Sequence, residues 1–404
     1  MDCVRSRNWR SEEGRPVPCP RDFRGDGFRG RGPLLHKHMA RGGERGCASA
    51  CLALLTGLLL AACEAETPPP VEGFAGLGSS ATAFARVEPG RVFAFPADHG
   101  AHPDYRIEWW YLTANLEDAQ GRAWGVQWTL FRNALQPGSQ ETDWRNQNLW
   151  MGHAALTGAD GHRYAETFAR GGIGQAGVVA APLQAWIDDW QLRSRSPANG
   201  GLGELQLHAR GEGFSYRLRL TSARPPVLQG IQGFSQKSGQ GQASYYYSQP
   251  FFQAEGSLLL DGQRHAVKGQ AWLDREWSSQ PLAPDQLGWD WFSLHLQTGE
   301  KLMLFQLRQA GGAHYRAGTW IGADGLAQPL SQEDIEMVPV RFSRVAGRRL
   351  PTAWTLRIAA KAFAIDTTAL QEQAWMATRF PYWEGPIRFS GSHQGVGYLE
   401  MTGY

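Results

Sequence analysis

The chain has 404 residues, 40 Lys+Arg against 38 Asp+Glu, a formal net charge of +2, and 17 tryptophans, a size that leaves room for two domains. The basic surplus lies in residues 1–62, which hold 11 of the Lys/Arg and 6 of the Asp/Glu; the 29 and 32 that remain give −3. The later chain therefore lacks the electrostatic ground for a nucleic-acid partner.

Cys47 to Ala62, "CASACLALLTGLLLAA", has the length of a signal-peptide core and is too short for a comfortable membrane span. Its end, Leu60-Ala61-Ala62-Cys63, resembles the lipobox of bacterial lipoproteins, which implies lipidation of Cys63 as the first mature residue. A short buried helix is the alternative. Met39, followed by Arg41 and Arg45, supplies the basic start such a leader needs, so 39–62 reads as a lipoprotein signal peptide and 1–38 as a start-site artefact or unfolded extension. All five cysteines (Cys3, Cys19, Cys47, Cys51, Cys63) lie at or before the cleavage point, which predicts a mature chain without disulfides. The expectation is an exported lipoprotein facing the periplasm, anchored in the outer membrane because Glu64 rather than Asp follows the cysteine. Residues 63–90, rich in Pro, Gly and Ala, read as a flexible tether.

From Arg91 onward, short aromatic and β-branched runs alternate with Gly, Asp and Asn turns, the pattern of an all-β protein. Four stretches then recur in the same order. "WWYLTANLEDAQGRAWGVQWTLFR" (Trp109 to Arg132) lies on "WDWFSLHLQTGEKLMLFQLR" (Trp289 to Arg308), and "LTGADG" (from Leu156) on "WIGADG" (from Trp320). "LQLHARGEGFSY" (from Leu205) lies on "WTLRIAAKAFAI" (from Trp354), and "GQAWLD" (from Gly269) on "GVGYLE" (from Gly395). Such self-similarity predicts two copies of one β-domain, 91–276 and 277–404, joined by "WSSQPLAPDQL". One large β-sandwich is the alternative.

Strand alternation puts Trp110, Leu112, Ala114 and Leu116 on one face and their counterparts Asp290, Phe292, Leu294 and Leu296 on the matching face. An acid, Glu108 or Asp290, begins each apolar face. At an open barrel end it would be desolvated by indole rings and kept protonated; at a closed sheet end it would pair with an arginine. Both readings stand on sequence.

"FPADHGAHPDYRIEWWYLTANL", "SYYYSQP", "WLDREWSSQPL" and "GWDWFSLHLQTGEKLMLFQLR" resemble the AttH/CrtC group, which includes carotenoid 1,2-hydratases and exported proteins named as secreted hydrolases. The resemblance covers nearly all of the mature chain. It implies two tandem lipocalin-like (calycin) β-barrels, a hydrophobic cavity near their junction, and an association of some members with ABC transport systems.

Hydrating an isoprenoid alkene needs a neutral carboxylic acid to protonate carbon, aromatic faces for the tertiary cation, and a held water. The candidate donors are Asp290, then Asp274 and Glu276, whose neighbour Arg275 is expected to lower their pKa, and Glu108. Trp109, Trp110, Tyr111, Tyr246, Tyr247, Trp277, Trp289 and Trp291 are the candidate substrate walls, although any single tryptophan reads more readily as ordinary barrel core. No G-x-S-x-G elbow, dinucleotide fingerprint or H-E-x-x-H helix occurs, and Asp98, His99 and His102 lie in a turn. Neither cofactor nor metal is expected. The remaining classes are a hydro-lyase of the carotenoid-hydratase kind and a non-catalytic carrier of isoprenoid or acyl lipids.

Overall fold

The computed structural model describes residues 74–404 except Ala313. The expected leader, Cys63 and the first part of the expected tether lie outside the described residues. Where sequence alternates, so does burial: "FSYRLRLT" (Phe214–Thr221) buries every second side chain, and Phe363–Ala369 does the same. The aromatic runs instead are buried on both faces, as in Ile107–Asp118 and Gln286–Leu296. One face of each packs inside its own sheet, and the other must meet something outside it.

The strands form two antiparallel sheets, of thirteen and ten strands, each curled around its own apolar core into a barrel-like unit. In the first, Gly161–Arg170, Asn148–Gly158, Ala123–Ala134 and Ile107–Asp118 lead to Gln263–Ser278 and Ala243–Leu260, and then to the five strands between Ala176 and Thr221. The second repeats this path: Ala327–Leu330, His314–Ile321, Lys301–Gln309, Gln286–Leu296, Gly395–Thr402, Tyr382–Gly391, then Phe363–Ala369, Arg348–Ile358 and Glu336–Val345. The four recurring sequence stretches fall on equivalent strands of the two paths. One pair of glycines shows why the repeat persists. A Cβ on Gly269 would collide with the Asn115 carbonyl, and one on Gly395 with the His295 carbonyl, so the same close approach of paired strands requires glycine in both copies.

Two expectations about boundaries need correction. Trp277 pairs with Glu108 and Tyr245 and belongs to the first sheet, which runs to Ser278; Gln286 opens the second. From Phe74 the expected tether is docked rather than free. Leu77 is buried between the sheets, Arg106 donates to the Gly76 carbonyl and to Ser79, and the Glu88 N–H donates to the Tyr245 hydroxyl.

The outer faces of the two aromatic strands pack on each other. Tyr111, Tyr246 and Trp272 from the first sheet join Trp291, Phe305 and Tyr398 from the second in a third apolar cluster, with Trp109 and Trp289 partly buried at its edge. This junction positions the site described next.

Candidate active site

Glu108 is fully buried, but not neutral. Arg132 Nε and Arg275 Nη2 each stand 2.5 Å from its oxygens, and the His102 backbone N–H donates at 2.8 Å. Burial opposes its charge, yet the two guanidiniums and His102 hold the carboxyl well below the usual range. Of the two readings open on sequence, Glu108 follows the second: it is a carboxylate paired with arginines at a closed barrel end. Arg275, expected to neutralise Asp274 and Glu276, points away from both and lies over Trp110 at 3.6 Å.

Asp290 lies on the inner face near the same end of the second sheet, two positions further along its strand than the counterpart of Glu108, and is likewise closed off. Tyr404 donates to it at 2.7 Å, Gln306 at 3.0 Å, and Arg308 Nε lies 3.4 Å away. Burial raises its carboxyl above the usual range, against the pull of Arg308 and the two hydrogen bonds. Strand alternation also turns it away from its sequence neighbours: Trp289 and Trp291 face the junction, while Asp290 continues the Phe292 face. It does not sit between the two indoles, as expected from sequence adjacency.

At the junction the acids have a different setting. Asp274 receives the Ser248 hydroxyl, the Trp272 indole N–H at 2.6 Å and the Tyr246 hydroxyl. Burial pushes it up to about 7, with Glu276 adding to the rise and the three hydrogen bonds opposing it. Across the junction Glu400 accepts the Trp289 indole N–H at 2.5 Å; burial, then the charges of Asp274 and Glu276, push it up to about 7 as well. Glu384 takes the Tyr111 hydroxyl at 2.5 Å and is raised well above the usual range by burial and by Glu400. Glu276 differs, being paired with Lys237 at 2.8 Å and hydrogen-bonded by Ser244.

Aromatic groups tie these acids together across the two sheets. The Trp291 indole N–H donates to the Tyr246 hydroxyl at 3.3 Å, which itself reaches Asp274. Tyr111 meets Trp291 edge-on with centroids 5.3 Å apart. Lys237 Nζ lies 5.1 Å from the Tyr246 ring centre and 4.3 Å from that of Phe305.

The structure thus brings together Asp274, Glu276, Trp109, Tyr111, Tyr246, Trp289 and Trp291 from among the sequence candidates. It places Trp110, Tyr247 and Trp277 inside the first sheet instead: Trp110 donates to the His99 carbonyl, Tyr247 bonds His99 Nδ1 at 2.6 Å, and Trp277 stacks on His102 at 3.8 Å. Sequence reasoning missed Glu400, Glu384, Tyr382 and Lys237. A signal for Glu400 was present, because laying "GQAWLD" on "GVGYLE" pairs it with Asp274.

Among the described residues, no group of three or more His, Cys, Asp or Glu side chains is arranged to hold a metal ion. A surface groove of about 680 Å³ lies at the other end of the Ile107–Asp118 strand, lined by charged groups including Glu117, Arg217, Arg219 and Lys268. It contains none of the junction acids.

The AttH-like family matches residues 86–404. A crystal structure assigned to AttH from Nitrosomonas europaea is similar over 80% of this chain and 100% of that one, with 33% identity and a TM-score of 0.70. Kievitone hydratase from Nectria haematococca covers 80% of this chain and 96% of its own at 18% identity, TM-score 0.60, a likeness of fold. No curated protein sequence matches the chain.

Proposed function

The chain belongs to the AttH-like family, and from that premise we propose that it hydrates a double bond of an apolar isoprenoid-like substrate at the junction of its two barrels. One observation carries the reading. Asp274 is a buried carboxyl raised to about 7, hydrogen-bonded to Tyr246 and set among indole and phenol rings. An acid that is protonated near neutral pH can give its proton to an alkene carbon, and ring faces stabilise the tertiary cation that forms. Water then bonds to the cation and loses a proton to a carboxylate. Glu400, raised in the same way, is the second carboxyl of suitable pKa. Kievitone hydratase, a hydratase by name on the same fold, supports the class of reaction.

Asp274→Asn should abolish turnover on terminal isoprenoid alkenes while the protein still binds them; Asp290→Asn, on the opposite face, should leave turnover nearly intact. Tight binding by wild type without turnover would favour a lipid carrier. Turnover unaffected by Asp274→Asn would remove Asp274 as donor. The proposal extends to location: lipidation at Cys63 would hold the protein at a periplasmic membrane face, where apolar substrates concentrate and an ABC transport system could supply them. Intact mass of membrane-extracted protein tests the anchor.

A further inference from the structure

The large apolar side chains left in water are not scattered. Of the fifteen that are exposed among the described residues, six gather at the Ile107 end of the first sheet: Leu135, Trp144, Leu149, Phe168, Ile173 and, from the second sheet, Phe380. Strand pairing brings them together. Leu149 stands opposite Asn133 and Arg170, each two residues from a member of the group, Leu135 and Phe168. The Leu135 N–H donates to the Gln147 carbonyl across the loop that carries Trp144, and the Gly171 N–H donates to the Asn148 carbonyl, which sets Ile173 beside that loop. The Arg379 backbone N–H donates to Glu166 at 3.0 Å and lays Phe380 along the Gly161–Arg170 strand. Trp144 keeps 68% of its surface in water and Phe168 53%. A contiguous apolar surface of this kind marks a place of contact.

The patch is continuous with the junction. On the outer face of the first sheet Phe168, Met151, Phe131 and Trp109 stand opposite one another on four neighbouring strands, and the row ends where Trp109 borders the junction cluster. Phe74 meets Phe380 edge-on at 6.5 Å and Trp289 at 5.4 Å, so it closes the same side. It is also where the described chain begins. Ten residues, 64–73, separate it from Cys63, a reach of about 40 Å at full extension. Two exposed arginines, Arg170 and Arg379, rim the patch. The acids beside them are already engaged: Asp143 is paired with Arg145 at 2.7 Å, and Glu166 is held by His153 and the Arg379 N–H.

We propose that this end of the first barrel is a docking surface for the anionic face of a phospholipid bilayer. Trp144, Leu149 and Phe168 enter the boundary between headgroups and acyl chains, while Arg170 and Arg379 reach phosphate oxygens from the rim. Two observations favour a bilayer over a second copy of the chain: the arginines complement anionic headgroups, and the chain before Phe74 leaves the fold at this surface, so an acyl anchor on Cys63 keeps this end near the membrane. The anchor rests on the lipidation reading; the surface does not. Docked in this way, the row from Phe168 to Trp109 leads from the acyl region to the junction, and an apolar substrate enters without crossing water. That consequence rests on the hydration reading.

Nitroxide labels test this without relying on activity. All five cysteines lie at or before residue 63, so Leu149→Cys, Phe168→Cys and Lys268→Cys each place one label on the described fold, and a sample without the added cysteine gives the background. All three positions are exposed, which spares the core, and Lys268 stands opposite Glu117 at the far end of the barrel. The membrane-extracted protein is reconstituted into vesicles of phosphatidylethanolamine and phosphatidylglycerol. The ratio of oxygen to nickel-chelate accessibility should rise about threefold or more at 149 and 168, as for side chains about 5–10 Å below the headgroups, and stay unchanged at 268. Labels that remain in water at 149 and 168, or immersion at 268 instead, overturn the docking surface. Spin–spin broadening between copies at 168 without vesicles overturns it in favour of a self-association face. Immersed labels in a protein that turns over no isoprenoid alkene sink the hydration reading alone, and immersed labels in an unacylated protein sink the anchor alone; turnover with every label in water sinks the surface alone.

Discussion

Three buried acids of this chain differ in what surrounds them: Glu108 meets two guanidiniums, Asp290 one at longer range, and Asp274 hydrogen-bond donors with a second carboxyl nearby. Their proton affinities divide accordingly: the doubly paired carboxyl is lowered and the other two are raised. Glu108 is driven well below the usual range, Asp290 is raised, and Asp274 reaches about 7. All three lie on strands of the same aromatic character, so local sequence does not separate them. What separates them is the face: the inner face of a barrel end brings arginines, and the outer face at the junction brings phenols and indoles.

The largest expected effect is at Glu108. Replacing it with Gln leaves Arg132 and Arg275 buried without their carboxylate, and unfolding free energy by denaturant titration should fall by about 3–5 kcal/mol. Wild-type stability should also carry this group's signature. Its folded pKa is depressed, so its contribution is present above the unfolded value and is lost as pH falls through the lower folded one.

Asp290→Asn should cost less, about 1–3 kcal/mol, because Arg308 keeps the Thr402 and Gly403 carbonyls as acceptors. A loss equal to that at Glu108 would mean that the two barrel ends are not graded as described.

At the junction the sign reverses. The folded pKa of Asp274 is raised from 3.8 to about 7. Between those values the unfolded chain is ionised and the folded one protonated. Stability should therefore fall as pH rises through that window, by up to about 1.4 kcal/mol per pH unit, and level off above it. Asp274→Asn should flatten this slope, read as unfolding free energy at a series of pH values. The smallest effect is expected at Trp289→Phe, which keeps most of the packing but removes the indole N–H from Glu400. It should cost about 1 kcal/mol and raise the Glu400 midpoint further, since that bond favours the ionised form.

The architecture was legible because repetition and alternation are local properties of sequence. The four recurring stretches gave two β-units, and period-two reasoning put Trp110, Leu112, Ala114 and Leu116 in the first core, where they lie. The site was less legible. Arg132 ends the hairpin that Glu108 begins and stands directly opposite it, so that ion pair was legible in the first copy; Arg308 aligns with Arg132 but stands opposite Gly288 and reaches Asp290 two positions along the strand. Arg275 was misjudged because adjacency along a strand puts side chains on opposite faces. Glu384 carried no repeat signal: its register partner is Glu400, whereas the equivalent partner of Asp274 is Ser248. Only the packing of one sheet on the other reveals it as an acid of the junction.

The central claim is that Asp274 at the junction, unlike Glu108 at the end of the first barrel, is held protonated towards neutral pH. Carboxyl ¹³C NMR, titrating Asp274 with assignment by Asp274→Asn, tests it most directly. A midpoint near 7 is the predicted result, and a midpoint at or below about 4, the ordinary value for an aspartate, would contradict the account.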